Sequence, residues 1–568
     1  RAASAWCGTR AIAARIGARP PCAEPTAENM SNPIPAVATP WRALIVVHLL
    51  ALIGLFAWVL AETRPVAMHD LHLADGERLK CVSYAPYRLP GQTPFDPDLK
   101  IGIEQIRTDL AELARITECV RLYSVDQGLD QVPTVARELG LKVLLGAWIS
   151  ANPEHNRKEL EHALALANAN RDVVSLLIVG NEVLLRRERS MAQMEALIRH
   201  AQASTDVPVT YADVWEFWIE NAELADAVDT VTVHILPFWE NDPVGVDAAL
   251  EHVVDTVREV RETFDKPVLI GETGWPSAGR QREASQPSRV GQARYIREFV
   301  HQAHQEGWAY NLIEAVDQPW KRRLEGTVGG FWGILDTELA PKFPLSGPVR
   351  ERESAVPVAL AALAGATLML VLGTLRRPPR TTFARVGALL SMGLTLGTVS
   401  ILQWEHAVLA YRDPFEWILL GALALIGLGI PVLVAVGPSG RFGSAADAWQ
   451  RLRAHPAALT DTTTLLSLAR GLVLFAAAVA ALLLVMDPRY RDFPTLLYLV
   501  PALCLAPLQW LEPVRTGVEE RVCAWVIAIG VIGRWISEPL NPQAVAWLAA
   551  GLLLAASFLH KTPCQHQQ

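Results

Sequence analysis

Val268-Leu269-Ile270-Gly271-Glu272-Thr273-Gly274-Trp275-Pro276, preceded by Pro267, has the pattern of a short strand buried on both faces. Its apolar run ends abruptly on a carboxylate, a glycine and a tryptophan. Glu272 is thereby delivered at a strand's carboxyl end, where enzymes built on parallel strands carry their chemistry.

The same rhythm recurs on both sides. Apolar runs at Lys80 to Tyr87, Val120 to Tyr123, Val143 to Trp148, Leu176 to Glu182, Val207 to Ala212, Thr230 to Leu236 and Tyr310 to Val316 alternate with amphipathic stretches such as 101–117 and 191–202. Eight strands separated by helices between residues 80 and 345 predict an α/β fold, a (β/α)8 TIM barrel, whose usual length is about 250 residues. A doubly wound open sheet has less support, because no Gly-rich phosphate loop follows the first strand. In a barrel the strand ends would gather Tyr84, Arg121, Tyr123, Trp148, Asn181, Glu182, Tyr211, His234, Glu272, Trp275 and Glu314 on one rim. Polar groups interleaved with aromatics suit a polar, ring-shaped ligand, since sugar rings stack on aromatic faces and hydrogen-bond around their edges.

Glu182 after the fourth strand and Glu272 after the seventh form a candidate pair. Cleaving or transferring a glycosidic bond takes two carboxyl groups, one to protonate the leaving oxygen and one to attack or to activate water. A single strand-end glutamate is more often an ion-pair partner or a helix cap. Two of them, one preceded by Asn181 and the other followed by Gly274-Trp275-Pro276, favour catalysis.

Three motifs then carry a resemblance. Ile178-Val179-Gly180-Asn181-Glu182-Val183, Gly271-Glu272-Thr273-Gly274-Trp275-Pro276 and Ile313-Glu314-Ala315-Val316-Asp317-Gln318-Pro319-Trp320-Lys321 resemble glycoside hydrolase family 17 over residues 80–345, most closely its bacterial membrane-bound members associated with periplasmic β-glucan synthesis and remodelling. The resemblance implies a retaining mechanism on β-1,3-linked glucan, with Glu182 as general acid/base and Glu272 as nucleophile. By position, Asn181 would bond the sugar's 2-hydroxyl, Arg121 would either support Glu272 or form a structural salt bridge, and Tyr211 would donate to Glu272, while Glu314, Lys321 and Glu325 match the family's polar cluster holding Glu182 or substrate. Tyr84 and Tyr123 join the substrate-binding set, and Trp239, Trp275 and Trp320 are expected as sugar platforms. Gln318 stands where an acidic residue is common in such relatives. His234 is expected to be a satisfied strand-end histidine. No metal or cofactor is expected.

Outside this region the chain is too apolar for a soluble globule: 51% of residues are hydrophobic and 19% charged, and the excess collects in blocks. We expect a disordered cytoplasmic tail over 1–40, with Met30 a candidate start, and a transmembrane anchor over 41–62. The barrel follows over 65–350, then a multi-span domain of about seven helices over 355–560 and a cytoplasmic tail over 561–568. Arginines at 376, 377, 380, 385, 441, 451, 453, 515 and 521 mark alternate loops as cytoplasmic, which puts the barrel on the opposite, periplasmic side of an inner membrane. Arg470 and Arg534, near span ends, are expected to snorkel. Cys81 and Cys119 precede the first two strands at similar depth and are either two buried thiols or a disulfide. The net charge of −8 argues against nucleic acid as a partner. The expected partners are β-glucan, the bilayer and a separate glucan synthase, since no nucleotide-binding motif supplies an activated sugar. A glucan-binding or export component without turnover is the rival expectation.

Overall fold

A computed structural model describes residues 39–71, 73, 77–375, 382–437, 443–511, 514 and 516–559. Eight parallel strands close into a barrel in chain order. They are β1 (Val82–Ser83), β2 (Cys119–Arg121), β3 (Lys142–Ala147), β4 (Val174–Asn181), β5 (Val209–Val214), β6 (Thr230–His234), β7 (Val268–Thr273) and β8 (Ala309–Leu312). The first helix of the chain, α1 (Trp41–Glu62), precedes the barrel. The barrel's own helices are α2 (Ile103–Leu113), α3 (Val132–Leu139), α4 (Pro153–Ala169), α5 (Met191–Gln202), α6 (Trp215–Glu220), α7 (Val246–Thr263), α8 (Arg289–Gln305) and α9 (Arg322–Gly329).

The strands are apolar along their length because both faces are covered. Val82, Val120, Val143, Leu145, Leu177 and Val179 pack with the helices in the main core. The alternate residues Cys81, Cys119, Leu144, Leu176 and Ile178 form a separate small cluster. Arg121 crosses to Asn181 and Gly271 on β4 and β7, so its face of β2 points inward, and with period 2 Cys119 lines the same interior. Cys81 and Cys119 are joined as a disulfide there, which settles the pairing the sequence left open. Strands β1 and β8 are shorter than their apolar runs: the sheet releases the chain before Tyr84 and Glu314.

Beyond the barrel come α10 (Val356–Leu375), α11 (Phe383–Ala410), α12 (Pro414–Val436), α13 (Ala445–Ala454), α14 (Thr462–Met486), α15 (Thr495–Leu511), α16 (Val518–Ser537) and α17 (Pro542–Leu559). With α1, the expected eight apolar blocks are all helical. Among the described residues six are long and apolar enough to cross a membrane; α15 is too short, and α16, which carries Glu519, Glu520, Arg521 and Arg534, is not among the six. Arg470 does not snorkel. It is fully buried and donates to both oxygens of Glu520 at 2.6 and 2.7 Å. Arg534 is also paired, with Glu538, which in turn accepts from Arg280 of the barrel at 2.7 Å.

The barrel sits on one end of this bundle. Arg322 donates to Leu409 O, Arg352 bridges Glu62 and Glu405, and Asn541 donates to Gln281 O. The loops 410–414, 487–494 and 538–541 therefore face the barrel, while Arg385, Arg451, Arg453 and Arg521 lie at helix ends between the other loops. Arg376, Arg377, Arg380, Arg441 and Arg515, and the 1–38 and 560–568 tails, lie outside the described residues.

Candidate active site

Strands β4, β6 and β7 deliver Glu182, His234 and Glu272 to one point. The end of β4 is twisted: Gly180 has φ +86°, and Glu182 itself has φ +51°, a left-handed conformation that costs a non-glycine residue about 1 kcal/mol. A backbone bond from Glu182 N–H to Ala212 O at 2.8 Å holds that turn. A side chain at position 180 would meet Val183 at 2.8 Å, so only glycine permits it.

Glu272 is buried. Its Oε1 accepts from the Tyr123 hydroxyl at 2.8 Å and from Arg121 Nη1 at 3.2 Å. Arg121 is fixed in turn by Gly271 O at 2.7 Å and Asn181 Oδ1 at 2.5 Å. The Asn311 amide donates to Ser83 Oγ at 2.8 Å, and Ser83 Oγ lies 2.9 Å from the Tyr123 oxygen, so a chain of polar groups runs from β8 to Glu272. Burial and the Glu272 charge hold the Tyr123 hydroxyl well above the ordinary tyrosine range, which keeps it a donor.

His234, expected as a satisfied strand-end histidine, finds its partners in the site itself: its Nδ1 lies 2.9 Å from Glu182 Oε1 and its Nε2 3.7 Å from Glu272 Oε1. Burial pushes the Glu182 carboxyl up, but the His234 hydrogen bond and the charges of His234, Arg186 and Arg121 outweigh it and leave Glu182 below the usual range. One donor atom each from Glu182, His234 and Glu272 lie within 4.8 Å of one another. Three such ligands could hold a divalent cation, as could Asp126, His155 and Glu159 elsewhere. In the barrel mouth, however, the Arg121 guanidinium already lies against both Glu272 and His234 Nε2, at 3.2 and 3.4 Å, and a cation there would face it across a buried gap.

Around this centre lies a second polar group after β8. Glu314 accepts from Lys321 Nζ at 2.8 Å, and burial pushes its carboxyl up to about 7. Glu325 is raised by burial and then by the charges of Glu182 and Glu272, with Lys321 opposing. Trp320 is half-buried at the rim, edge-on to Tyr87 and to the exposed Phe95, with ring centres 6.2 and 5.6 Å apart. Trp239 is also half-buried, but guanidinium groups of Arg489 and Arg282 lie 5.0 and 5.4 Å from its ring centre.

Three expected residues do not join the site. Trp275 has no exposed surface; its Nε1 donates to Gln286 O at 3.0 Å and its ring packs on Phe238 and Tyr295, so it offers no sugar platform. Tyr211 does not reach Glu272. Its hydroxyl donates to Asp213 and accepts from Leu184 N–H at 2.9 Å, because its strand position points out of the barrel. Tyr84 likewise turns outward, donating to Asp109 of α2 at 2.9 Å. His234, Ser83 and Asn311 were missed or undervalued. The available signal for His234 was its place at a strand end between the two strands bearing the glutamates.

A closed parallel barrel with two facing glutamates at its carboxyl mouth is a glycosidase geometry, and the sequence comparison agrees. Residues 81–333 match the BtgE/BtgC glycoside hydrolase domain. The chain is 28% identical over 264 residues to "Probable glucan endo-1,3-beta-glucosidase btgC" of Aspergillus clavatus, covering 41% of this chain and 37% of that protein. It is 29% identical over 224 residues to "Probable beta-glucosidase btgE" of Aspergillus flavus, covering 38% and 36%. The chain thus spans little more than a third of the length of these relatives. Among solved structures, the glycoside hydrolase family 17 β-1,3-glucanosyltransferase from Rhizomucor miehei is 24% identical with a TM-score of 0.42, covering 47% of this chain and 98% of that one.

Proposed function

We propose that this chain is a retaining glycosidase or transglycosylase acting on β-1,3-glucan. The observation that carries the reading is the approach of Glu182 and Glu272, whose nearest ligand oxygens lie within 4.8 Å of each other. Retaining enzymes keep their two carboxyl groups about 5 to 5.5 Å apart, whereas inverting enzymes hold them about 6.5 to 9.5 Å apart to admit a water. Glu272, oriented by Arg121 and Tyr123, attacks the anomeric carbon while Glu182 gives its proton to the departing oxygen. The glucosyl–Glu272 bond is then broken by a water or a sugar hydroxyl, whose proton returns to Glu182. Asn181, Glu314, Lys321, Trp320 and Trp239 are assigned to substrate binding.

The same reading places the barrel, residues 65–350, outside the cytoplasm on an inner membrane, anchored by 41–62 and by the spans of 355–560. Two observations support it. The Cys81–Cys119 disulfide suits an oxidising compartment, and the arginines at 385, 451, 453 and 521 gather at the bundle end away from the barrel. A separate synthase would supply the glucan.

The test uses the full chain in nanodiscs with laminari-oligosaccharides. Products longer than the substrate indicate transfer and shorter ones alone indicate hydrolysis. Glu272→Ala should stop turnover, and azide should restore it by substituting for the carboxylate. Tight binding without turnover by the unmutated chain would instead identify a glucan-binding or export component.

A further inference from the structure

The barrel mouth is not bounded by the barrel alone. Between α14 and α15 the chain returns as residues 487–494 and lies against α9 and the loop after β6. Arg489 Nη2 donates to Trp239 O at 2.9 Å, its guanidinium lies 5.0 Å from the centre of the Trp239 ring, and the Tyr490 ring lies 6.0 Å from the same indole. The approach is written into α9. Gly326 has φ +71°, and a Cβ there would sit 2.1 Å from the Tyr490 carbonyl oxygen; its neighbour Thr327 bonds Asp492 at 2.5 Å. Burial raises the carboxyl of Glu325, the other neighbour of Gly326, with Lys321 opposing, the charges of Glu182 and Glu272 adding to the rise and Arg489 opposing it. Trp239 follows His234, which touches both catalytic carboxylates, by one turn of loop.

We infer that Arg489 and Tyr490 form part of the saccharide-binding wall of the cleft, so that the membrane half of the chain supplies binding residues for a glucan held by the barrel. The chemistry fits a sugar chain. The exposed Tyr490 phenol offers a face to a pyranose ring, and the Arg489 guanidinium fork beside it donates to hydroxyls, while Trp239, flanked by Arg489, Arg282 and Phe238, holds that fork in place. The inference rests on the proposed glucan activity, and it deepens it: a linear glucan running out of the cleft is handed directly onto the loop of the bundle.

The alternative is that Arg489 merely docks the two halves. Glu538 separates these roles, since it holds Arg280 at 2.7 Å in the same interface, where Arg280 also donates to Arg491 O at 2.9 Å, and its own hydrogen bonds and ion pairs go to Arg280, Arg534 and Asn541 rather than to Trp239, Arg489 or Tyr490. In the full chain in nanodiscs, carrying Glu272→Gln so that ligand persists, the dissociation constant for laminarihexaose is measured by calorimetry. Arg489→Ala and Tyr490→Ala should each weaken binding by about tenfold, the scale of a well-packed interface anchor, with Arg489→Lys intermediate because the planar fork is lost. Glu538→Gln should leave it unchanged. Unaltered binding in Arg489→Ala, or an equal loss in Glu538→Gln, overturns the inference. In the active chain Arg489→Ala should raise KM and spare kcat. Turnover by the unmutated chain is scored separately: turnover that ignores Arg489→Ala removes this wall and keeps the reaction, whereas Arg489-dependent binding without turnover removes the reaction and keeps the wall.

Discussion

Tyr123→Phe removes the hydroxyl that binds Glu272, the proposed nucleophile, together with its contact to Ser83 Oγ at 2.9 Å. The hydroxyl donates to Glu272 Oε1 at 2.8 Å, the shorter of the two side-chain bonds to that oxygen; the other is Arg121 at 3.2 Å. Phenylalanine keeps the ring, over which the Arg121 guanidinium sits at 4.8 Å, so packing and the cation–π contact survive and only the hydroxyl is deleted. A hydrogen bond to a charged group contributes about 1.5 to 3 kcal/mol, and about 1.4 kcal/mol is a factor of ten, so kcat/KM should fall by roughly ten- to 150-fold. In the proposed retaining reaction the loss in kcat/KM belongs to glycosyl–enzyme formation. It should therefore persist with an aryl β-glucoside whose good leaving group needs no proton from Glu182. The assay is kcat/KM for the full chain on both substrates, with circular dichroism to confirm folding. A value within about threefold of the parent, or recovery with the aryl glucoside, would refute the assignment of Tyr123 to Glu272. Tyr211→Phe is the matched control. Its hydroxyl bridges Asp213 and Leu184 N–H away from Glu272, so it should lower thermal stability by about 1 to 3 kcal/mol while affecting kcat/KM far less.

Further outcomes follow from the same geometry. His234→Asn removes the main group holding Glu182 low, against the remaining Arg186 and Arg121, so the descending alkaline limb of the kcat/KM profile should move to higher pH; a limb that stays or moves down would discard the His234–Glu182 coupling. Glu314 has its carboxyl raised from 4.5 to about 7, so the folded state binds this proton more tightly than the unfolded chain. Its contribution to stability is therefore full below about 4.5 and lost as pH rises through about 7, and Glu314→Gln should flatten the thermal midpoint across that window, leaving the smaller dependence from Asp317, raised to about 6. Removing divalent ions with EDTA should leave turnover intact, because Arg121 already compensates the carboxylates; loss of activity restored by a metal would reassign Glu182, His234 and Glu272 as ligands.

Strand and helix rhythm made the barrel legible because a parallel sheet covered on both faces must be apolar along every strand, and the strand-end residues then fall on one rim by topology alone. That was enough to pair Glu182 with Glu272 and to set Arg121 beside them. It was not enough to say which way a rim residue points. Tyr84 follows β1 as Tyr123 follows β2, and Tyr211 lies within β5, yet a shift of one residue along a period-2 strand sends the side chain to the helices rather than the cleft. Trp275 failed because its indole is fully buried against Phe238 and Tyr295, with Nε1 bonded to Gln286 O, and leaves no face for a sugar.

Sequence by itself determined the apolar blocks, the order of the strands and the two carboxylates, because each is a property of residues close together in the chain. Tertiary structure alone decided the disulfide between Cys81 and Cys119, the role of His234 between the glutamates, and the meeting of Trp239 with Arg489. These are contacts between residues 38, 52 and 250 positions apart. Local periodicity carries no record of such distances; closure of the barrel and its docking on the bundle create them.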